Sequence, residues 1–236
     1  MFHFYFENLE QDFIALPAEE SKHCIKSLRL KNGDLIIAVN GKGMVCEAEI
    51  TEVSLKTCTL KIISRQFIAP SKNQLHIAVA PTKNPDRIEW FVEKAVEIGI
   101  EKITVLHTER TERSRVQIER LKRISIAAIK QCQGFFIPEI EENTFSNLME
   151  ESKSFSGGKW IPHCEQGEKQ QLADVVQEHQ NALILIGPEG DFSPAEISTA
   201  MAHGFLPVAL GNQRLRTETA AIYATVVYKS KVIRNY

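Results

Sequence analysis

The sequence predicts an α/β protein in two parts, and three observations carry that reading. Over residues 1–70 apolar side chains recur at every second position, the period of half-buried strands. From Leu75 onward, near-continuous apolar runs alternate with helical patterns, which implies a parallel sheet covered on both faces. Between the two, residues 67–73 (Phe-Ile-Ala-Pro-Ser-Lys-Asn) have the composition of a linker. The expected organisation is a small β-barrel or sandwich over 1–70 and an α/β domain over 74–236.

In the first part, Cys46-Glu47-Ala48-Glu49-Ile50 and Cys58-Thr59-Leu60-Lys61-Ile62 each turn one face inward, and Asn40-Gly41-Lys42-Gly43 is a turn between two such runs. Residues 17–28 read as its helix, with Pro17 in the first turn and Glu19 and Glu20 where the helix N-terminus favours negative charge. In the second part, Leu75-His76-Ile77-Ala78-Val79-Ala80 is a buried strand. Asn84 and Pro85 cap and open a helix with Ile88, Phe91, Val92 and Ala95 on one face, and Gly99 ends it. A strand at 102–106 follows. The same alternation continues as a strand at 159–162, a helix near 171–179, a strand at 183–186, a helix at Pro194–Ala202, a strand at 206–210 and a helix at Thr217–Val232.

Composition bounds the function. The 28 Lys+Arg against 30 Asp+Glu leave a formal net charge of -2, so bulk charge does not mark a nucleic-acid binder. With 43% hydrophobic residues, intrinsic disorder is excluded. The longest apolar runs, such as 182–186, fall short of the roughly 18 residues a membrane span requires. Residues 1–7 lack the basic and apolar regions of a secretory signal, so a cytoplasmic protein is expected, with no membrane partner. Cys24, Cys46, Cys58, Cys132 and Cys164 are scattered without ligand spacing, and reduced thiols with no metal site are expected.

In open parallel sheets ligands bind beyond the carboxyl ends of the strands. Three such loops are unusual. Ile186-Gly187-Pro188-Glu189-Gly190-Asp191-Phe192 sets a Pro-Glu pair between glycines, which permit positive φ and close backbone approach. Residues 210–220 (Leu-Gly-Asn-Gln-Arg-Leu-Arg-Thr-Glu-Thr-Ala) place two arginines and a glutamate at the start of the last helix. His163-Cys164-Glu165-Gln166-Gly167 is the third. Each alone is compatible with a plain turn; three together point to a ligand site. No G-x-G-x-x-G follows a strand, and Gly157-Gly158-Lys159-Trp160 lacks the Ser/Thr of a P-loop, so a conventional dinucleotide or NTP site is not expected.

The 186–190 motif, followed by Leu210-Gly211 and by Arg214-Leu215-Arg216-Thr217-Glu218-Thr219-Ala220, resembles the paired signature of the RsmE family of bacterial 16S rRNA uridine-N3 methyltransferases, within the SPOUT superfamily. The resemblance spans the chain. His23, Leu28-Arg29 and Gly33-Asp34 are similar to a segment of that family's PUA-like domain. Lys83, Arg87, Lys94, Glu97, Gly99 and the stretch Glu109-Arg110-Thr111-Glu112-Arg113-Ser114 resemble its central motifs. Two departures stand out: Gln133-Gly134-Phe135-Phe136 where many members resemble Q-x-G-R, and Asp191 in place of the last glycine of G-P-E-G-G-F.

The resemblance implies an N-terminal PUA-like β-barrel and a C-terminal SPOUT domain with a deep trefoil knot. It also implies a homodimer and S-adenosylmethionine as cofactor, with 16S rRNA, in the assembled small subunit, as substrate. Carried over residue by residue, the cofactor contacts are His163, Cys164, Glu165, Ile186, Gly187, Pro188, Glu189, Gly190, Leu210, Gly211, Leu215 and Ala220. Arg216, Glu218 and Glu189 are the candidate catalytic residues: Arg216 to hold phosphate or stabilise a uridine anion, and a carboxylate to orient the base or accept its proton. Glu218 has a second reading, as a first-turn carboxylate complementing the helix dipole.

RNA contacts are expected at His23, Arg29, Lys83, Arg87, Arg110, Arg113 and Arg214. The segment 110–123 holds Arg110, Arg113, Arg115, Arg120, Lys122 and Arg123 against Glu112 and Glu119, which suits either a solvated helix face or a phosphate track. The N-terminal aromatics Phe2, Phe4, Tyr5 and Phe6 suit either base stacking or the barrel core. Two other functions fit the same residues: a methyltransferase of this fold acting on a different RNA position, and a noncatalytic RNA-binding factor.

Overall fold

The computed structural model describes residues 2–54, 57–112, 115–178 and 180–232. It separates into two compact units, Met1–Pro70 with Ile129–Ile137, and Ser71–Ala128 with Pro138–Tyr236.

In the first unit, β1 (His3–Tyr5), β2 (Phe13–Ala15), β3 (Leu35–Val39), β4 (Met44–Val53) and β5 (Cys58–Phe67) form one sheet in the order β1-β3-β4-β5-β2. Only the β1–β3 pairing is parallel. Register shifts at Glu47/Ala48 and Ile50/Glu52 are bulges that sharpen the twist, and the sheet curls into a half-barrel. The predicted alternation puts Cys46, Ala48, Ile50, Cys58, Leu60 and Ile62 inside with Phe4 and Phe6, while Phe2 stays exposed. Two of the N-terminal aromatics are therefore core.

The helix expected over 17–28 is shorter. α1 (Ala18–Lys22) passes at once into a π-helical turn (His23–Ser27), and Arg29 leaves it with φ 55°. The wider turn lets both Leu28 and Leu30 pack against the half-barrel core, which one continued α-helical face would not. The 40–43 turn also meets the chain again: Gly43 N–H donates to Phe135 O (3.1 Å) and Ile137 N–H to Gly41 O (2.9 Å). A Cβ on Gly43 would lie 2.4 Å from Ile68 O, so the close approach requires glycine there. The 133–136 departure thus lies against the turn between β3 and β4 of this unit.

The second unit holds seven parallel strands: β6 (Leu75–Val79), β7 (Lys102–His107), β8 (Glu139–Thr144), β9 (Gly158–Pro162), β10 (Gln170–Gln171), β11 (Ala182–Ile186) and β12 (Leu206–Ala209). Their order is β10-β12-β9-β11-β6-β7-β8. Every residue of the central β6 and β11 is buried, as their unbroken apolar runs require. The helices are α2 (Pro85–Ile98), α3 (Ile118–Cys132, of which the part from Ile129 belongs to the first unit), α4 (Phe145–Glu151), α5 (Leu172–Val175), α6 (Pro194–Ala202) and α7 (Thr217–Val232). Asn84 caps α2 by accepting the Asp86 N–H (3.0 Å), and Gly99 ends it with φ 98°. Ser193 and Glu196 close a capping box on α6.

Three elements differ from expectation. The helix near 171–179 shrinks to α5: Gln171 pairs with Ala209 instead, and the chain turns extended at Val176 (φ -69°, ψ 122°), which ends the helix after Val175. Strand β8 reads Glu-Ile-Glu-Glu-Asn-Thr with one buried residue, Ile140; an edge strand rich in charge carries no apolar signal. In the 110–123 stretch only the part from Ile118 onward is helical, so Arg110 lies on a loop rather than on a helix face.

The sheet order brings the carboxyl ends of β9, β11 and β12 together although they are far apart in sequence. β11 lies between β9 and β6, and β12 lies outside β9. The three loops singled out above leave these three strands side by side.

Candidate active site

The three loops enclose a cavity of about 700 Å³, within the range of roughly 300–1,000 Å³ typical of small-molecule sites. Its wall after β9 is Pro162, His163, Cys164, Gly167 and Lys169. After β11 it is Ile186, Gly187, Pro188, Glu189 and Asp191. From β12 onward it comprises residues 208–217 and Ala220. Most of the expected cofactor residues thus line one space: His163, Cys164, Ile186, Gly187, Pro188, Glu189, Leu210, Gly211, Leu215 and Ala220, joined by Arg214 and Arg216. Glu165, Gly190 and Glu218 do not line it.

Side chains from other parts of this unit hold the 187–193 loop in place. Pro188 O accepts the Asp191 N–H (2.9 Å), closing a turn over Glu189 and Gly190. Glu189 Oε1 accepts the Lys83 N–H (3.1 Å). Arg110 donates to Gly190 O (2.9 Å) and Phe192 O (3.4 Å). Thr217, opening α7, donates its hydroxyl to Gly187 O (3.0 Å). The positive φ expected of the glycines falls instead on Asp191 (φ 62°); neither Gly187 nor Gly190 has one. Gly187 instead packs closely: a Cβ there would sit 3.1 Å from the Phe192 ring, which would have to give by a few tenths of an ångström.

The other walls are tied down as well. Lys169 donates its ammonium to the carbonyls of His163 and Glu165, which folds the loop after β9 and leaves the Glu165 side chain exposed. Gly211 N–H donates to Gln171 Oε1 (2.8 Å). Sequence reasoning missed Lys169, and a lysine in a polar loop offers no signal for this role. Both ring nitrogens of His163 are buried without a partner among the described residues. Burial, then the Lys169 charge, pulls its pKa below the usual histidine value, so the ring is neutral near pH 7 and offers one donor and one acceptor.

At the start of α7, Glu218 is buried and its Oε2 has no partner among the described residues. Arg87 of α2 stands between two of the candidate carboxylates, its guanidinium 3.8 Å from Glu218 Oε1 and 3.9 Å from Glu189 Oε1. Lys83 pairs with Glu112 at 2.8 Å. Arg216 is exposed at the cavity wall. Arg214 lies beside it, its pKa raised first by hydrogen bonding to the Cys164 thiol and further by Asp191. In the first unit Arg29 is exposed. Arg113 lies outside the described residues, as does the side chain of His23.

A parallel α/β sheet with a neutral histidine, apolar walls and exposed arginines around one cavity at its carboxyl edge defines a cofactor-binding domain suited to an anionic substrate. The chain belongs to the RNA methyltransferase family, whose domain model matches residues 69–229; an RNA methyltransferase PUA domain matches 16–63. Ribosomal RNA small subunit methyltransferase E of Buchnera aphidicola is 29% identical over 92% of this chain and 88% of its own. Its Bacillus subtilis namesake is 24% identical over 95% and 93%. Among solved structures, a probable rRNA-methyltransferase from Porphyromonas gingivalis is 36% identical with a TM-score of 0.88, covering 95% of both chains. A putative methyltransferase from Legionella pneumophila, solved with bound SAM, is 30% identical with a TM-score of 0.85, covering 97% of both.

Proposed function

We propose that this protein transfers a methyl group from S-adenosylmethionine to N3 of a uridine in 16S rRNA, acting on the small ribosomal subunit in the cytoplasm as a homodimer. The observation that carries the reading is the cavity itself: three strand-end loops closing on a neutral His163 with two unsatisfied ring nitrogens. The relatives' name and the SAM bound to the Legionella pneumophila protein supply the chemistry.

The residues present fit such a cofactor. Pro162, Ile186, Val208, Leu210, Leu215 and Ala220 offer apolar walls for a purine, while His163 and the backbone groups of the loops offer polar partners. When bound, S-adenosylmethionine supplies an electrophilic methyl on a sulfonium. The chain's own task is to present uridine N3 in line and to deal with its proton. Arg216 and Arg214, exposed at the cavity wall, meet the RNA backbone or the developing negative charge on the base. Glu189, which lines the cavity, or Glu218, with its unpartnered Oε2, orients the base or accepts the N3 proton.

Other parts of the reading have narrower support. A knotted path is favoured by α7, which packs on β6 and β11 although the chain enters it from β12, beyond β9. Dimerisation is favoured by α7 as well: its Tyr223 and Val226 are exposed, and Trp90 is exposed on α2, against which α7 packs.

The test is incubation of the protein and methyl-labelled cofactor with small ribosomal subunits from a strain lacking the activity, followed by mapping of the labelled base. Label at N3 of one uridine is expected. Label on another base or ring position, or none on any subunit preparation, overturns the reading.

A further inference from the structure

We infer that Asp191 is a positioning residue that sets the width of the cofactor cavity by tying the loop after β11 to the loop after β9. The inference rests on the function proposed above and adds a residue whose backbone and side chain do separate jobs.

The backbone of Asp191 has φ 62°, a conformation that non-glycine residues adopt at a cost. Aspartate tolerates it because its own carboxylate can bond nearby backbone, and Oδ1 accepts the Phe192 N–H at 2.8 Å. A glycine would adopt this φ more readily, so backbone geometry alone does not call for aspartate. The second oxygen is not used locally. Oδ2 accepts the N–H of Cys164, 27 residues away, at 2.6 Å. Both residues line the cavity, on loops that leave adjacent strands. The bond closes a bridge across one end of the cavity, and it is charge-assisted. Arg214, on the loop after β12, lines the same cavity, and its charge is favoured by Cys164 and by Asp191. Thus one carboxylate holds together the walls that a ligand must fit between.

The test compares Asp191→Gly with Asp191→Asn. Glycine keeps the backbone conformation, at lower strain, and deletes the bridge; asparagine tolerates the conformation and keeps an acceptor for the Cys164 N–H. Neither change strains the backbone; Asp191→Gly loses both carboxylate hydrogen bonds and gains unfolded-chain entropy, so it should melt below Asp191→Asn, with both variants folded. Calorimetry with S-adenosylmethionine should show Asp191→Gly binding about tenfold to a hundredfold more weakly, with Asp191→Asn within about threefold of wild type. In the methylation assay the glycine variant should raise the cofactor KM and keep most of kcat. Independently of any ligand, hydrogen exchange at the Cys164 amide should speed up in Asp191→Gly and stay slow in Asp191→Asn.

Unchanged Cys164 exchange in Asp191→Gly overturns the bridge whatever the ligand proves to be. Cofactor affinity equal in Asp191→Gly and wild type overturns the positioning role. A wild-type protein that binds no S-adenosylmethionine overturns the functional reading instead, with the exchange measurement still deciding whether the bridge exists.

Discussion

Arg87 and Glu218 face each other at 3.8 Å across the α2–α7 packing, and the same guanidinium is 3.9 Å from Glu189. A single cation thus stands between two candidate catalytic carboxylates. Removing it leaves a buried Glu218 with no other ion-pair partner among the described residues. The expected outcome for Arg87→Met is a fall of about tenfold or more in kcat/KM for RNA, with cofactor affinity changed less than about threefold. Steady-state kinetics beside calorimetry checks this. A variant with normal kcat/KM and weakened salt dependence would return Arg87 to the RNA path.

Arg110 is committed in the same way. Its guanidinium holds the carbonyls of Gly190 and Phe192, so the loop loses a brace when it is replaced. Arg110→Gln should weaken cofactor binding severalfold. A lost phosphate contact would shift the slope of log K against log salt by about 0.7–0.9; here the shift should be much smaller. Fluorescence titrations of RNA at several salt concentrations separate the two. Arg120 and Lys122, which pair with Glu89 and Glu119, show the same internal compensation of what reads in sequence as a basic strip.

The candidate site was legible in sequence to the extent that local motifs carry it. Gly187-Pro188-Glu189 and Leu210-Gly211 sit where strand ends meet, and the spacing of those strands follows from their unbroken apolar runs. What did not show was anything created by distance in sequence. Asp191 reaching Cys164 and Gln171 receiving Gly211 each join residues whose local surroundings are plain turns; Lys169 is close to the 163–165 loop it folds, but a lysine in a polar loop carries no signal for that role. Strand β8 was hidden because an edge strand needs only one buried side chain, Ile140, to be held. The barrel's inward face was readable, since its period of two survives the bulges; the contribution of residues 129–137 was not, because only the fold brings Phe135 to Gly43.

His76 gives the second unit a defined response to acid. Its Nε2 is 2.7 Å from Thr104 Oγ1, whose hydroxyl donates to Glu141 Oε1, so Nε2 carries the ring proton and the neutral tautomer is fixed. Burial, then the Lys102 charge, holds its pKa down at about 4 from 6.5. Between those two values the unfolded chain binds a proton that the folded chain does not. Stability therefore rises with pH across that window and is lost as pH falls through it, by roughly 3 kcal/mol at full extent. Urea midpoints between pH 7 and pH 4 should decline in the wild type. His76→Gln, which keeps a neutral donor, should decline less; an equal decline assigns the acid response to other groups.

Helix α7 carries apolar side chains on more than one face, with Ala221, Ala224 and Tyr228 buried within this unit while Tyr223 and Val226 face outward. Such a helix needs cover on its second side, and a second copy of the chain meeting it there is what the proposed dimer requires. Tyr223 and Val226 are three apart and so share a face. Replacing both by aspartate would bury charges against the partner, at a cost well beyond what a moderate interface absorbs. The double variant should run as a folded monomer by light scattering, and the wild type as a dimer. It should lose methyl transfer if the cavity, which begins at Ala220 on this same helix, works only with the partner in place. A monomeric variant with full activity would separate dimerisation from catalysis, and a wild type that is already monomeric would remove the dimer from the functional reading.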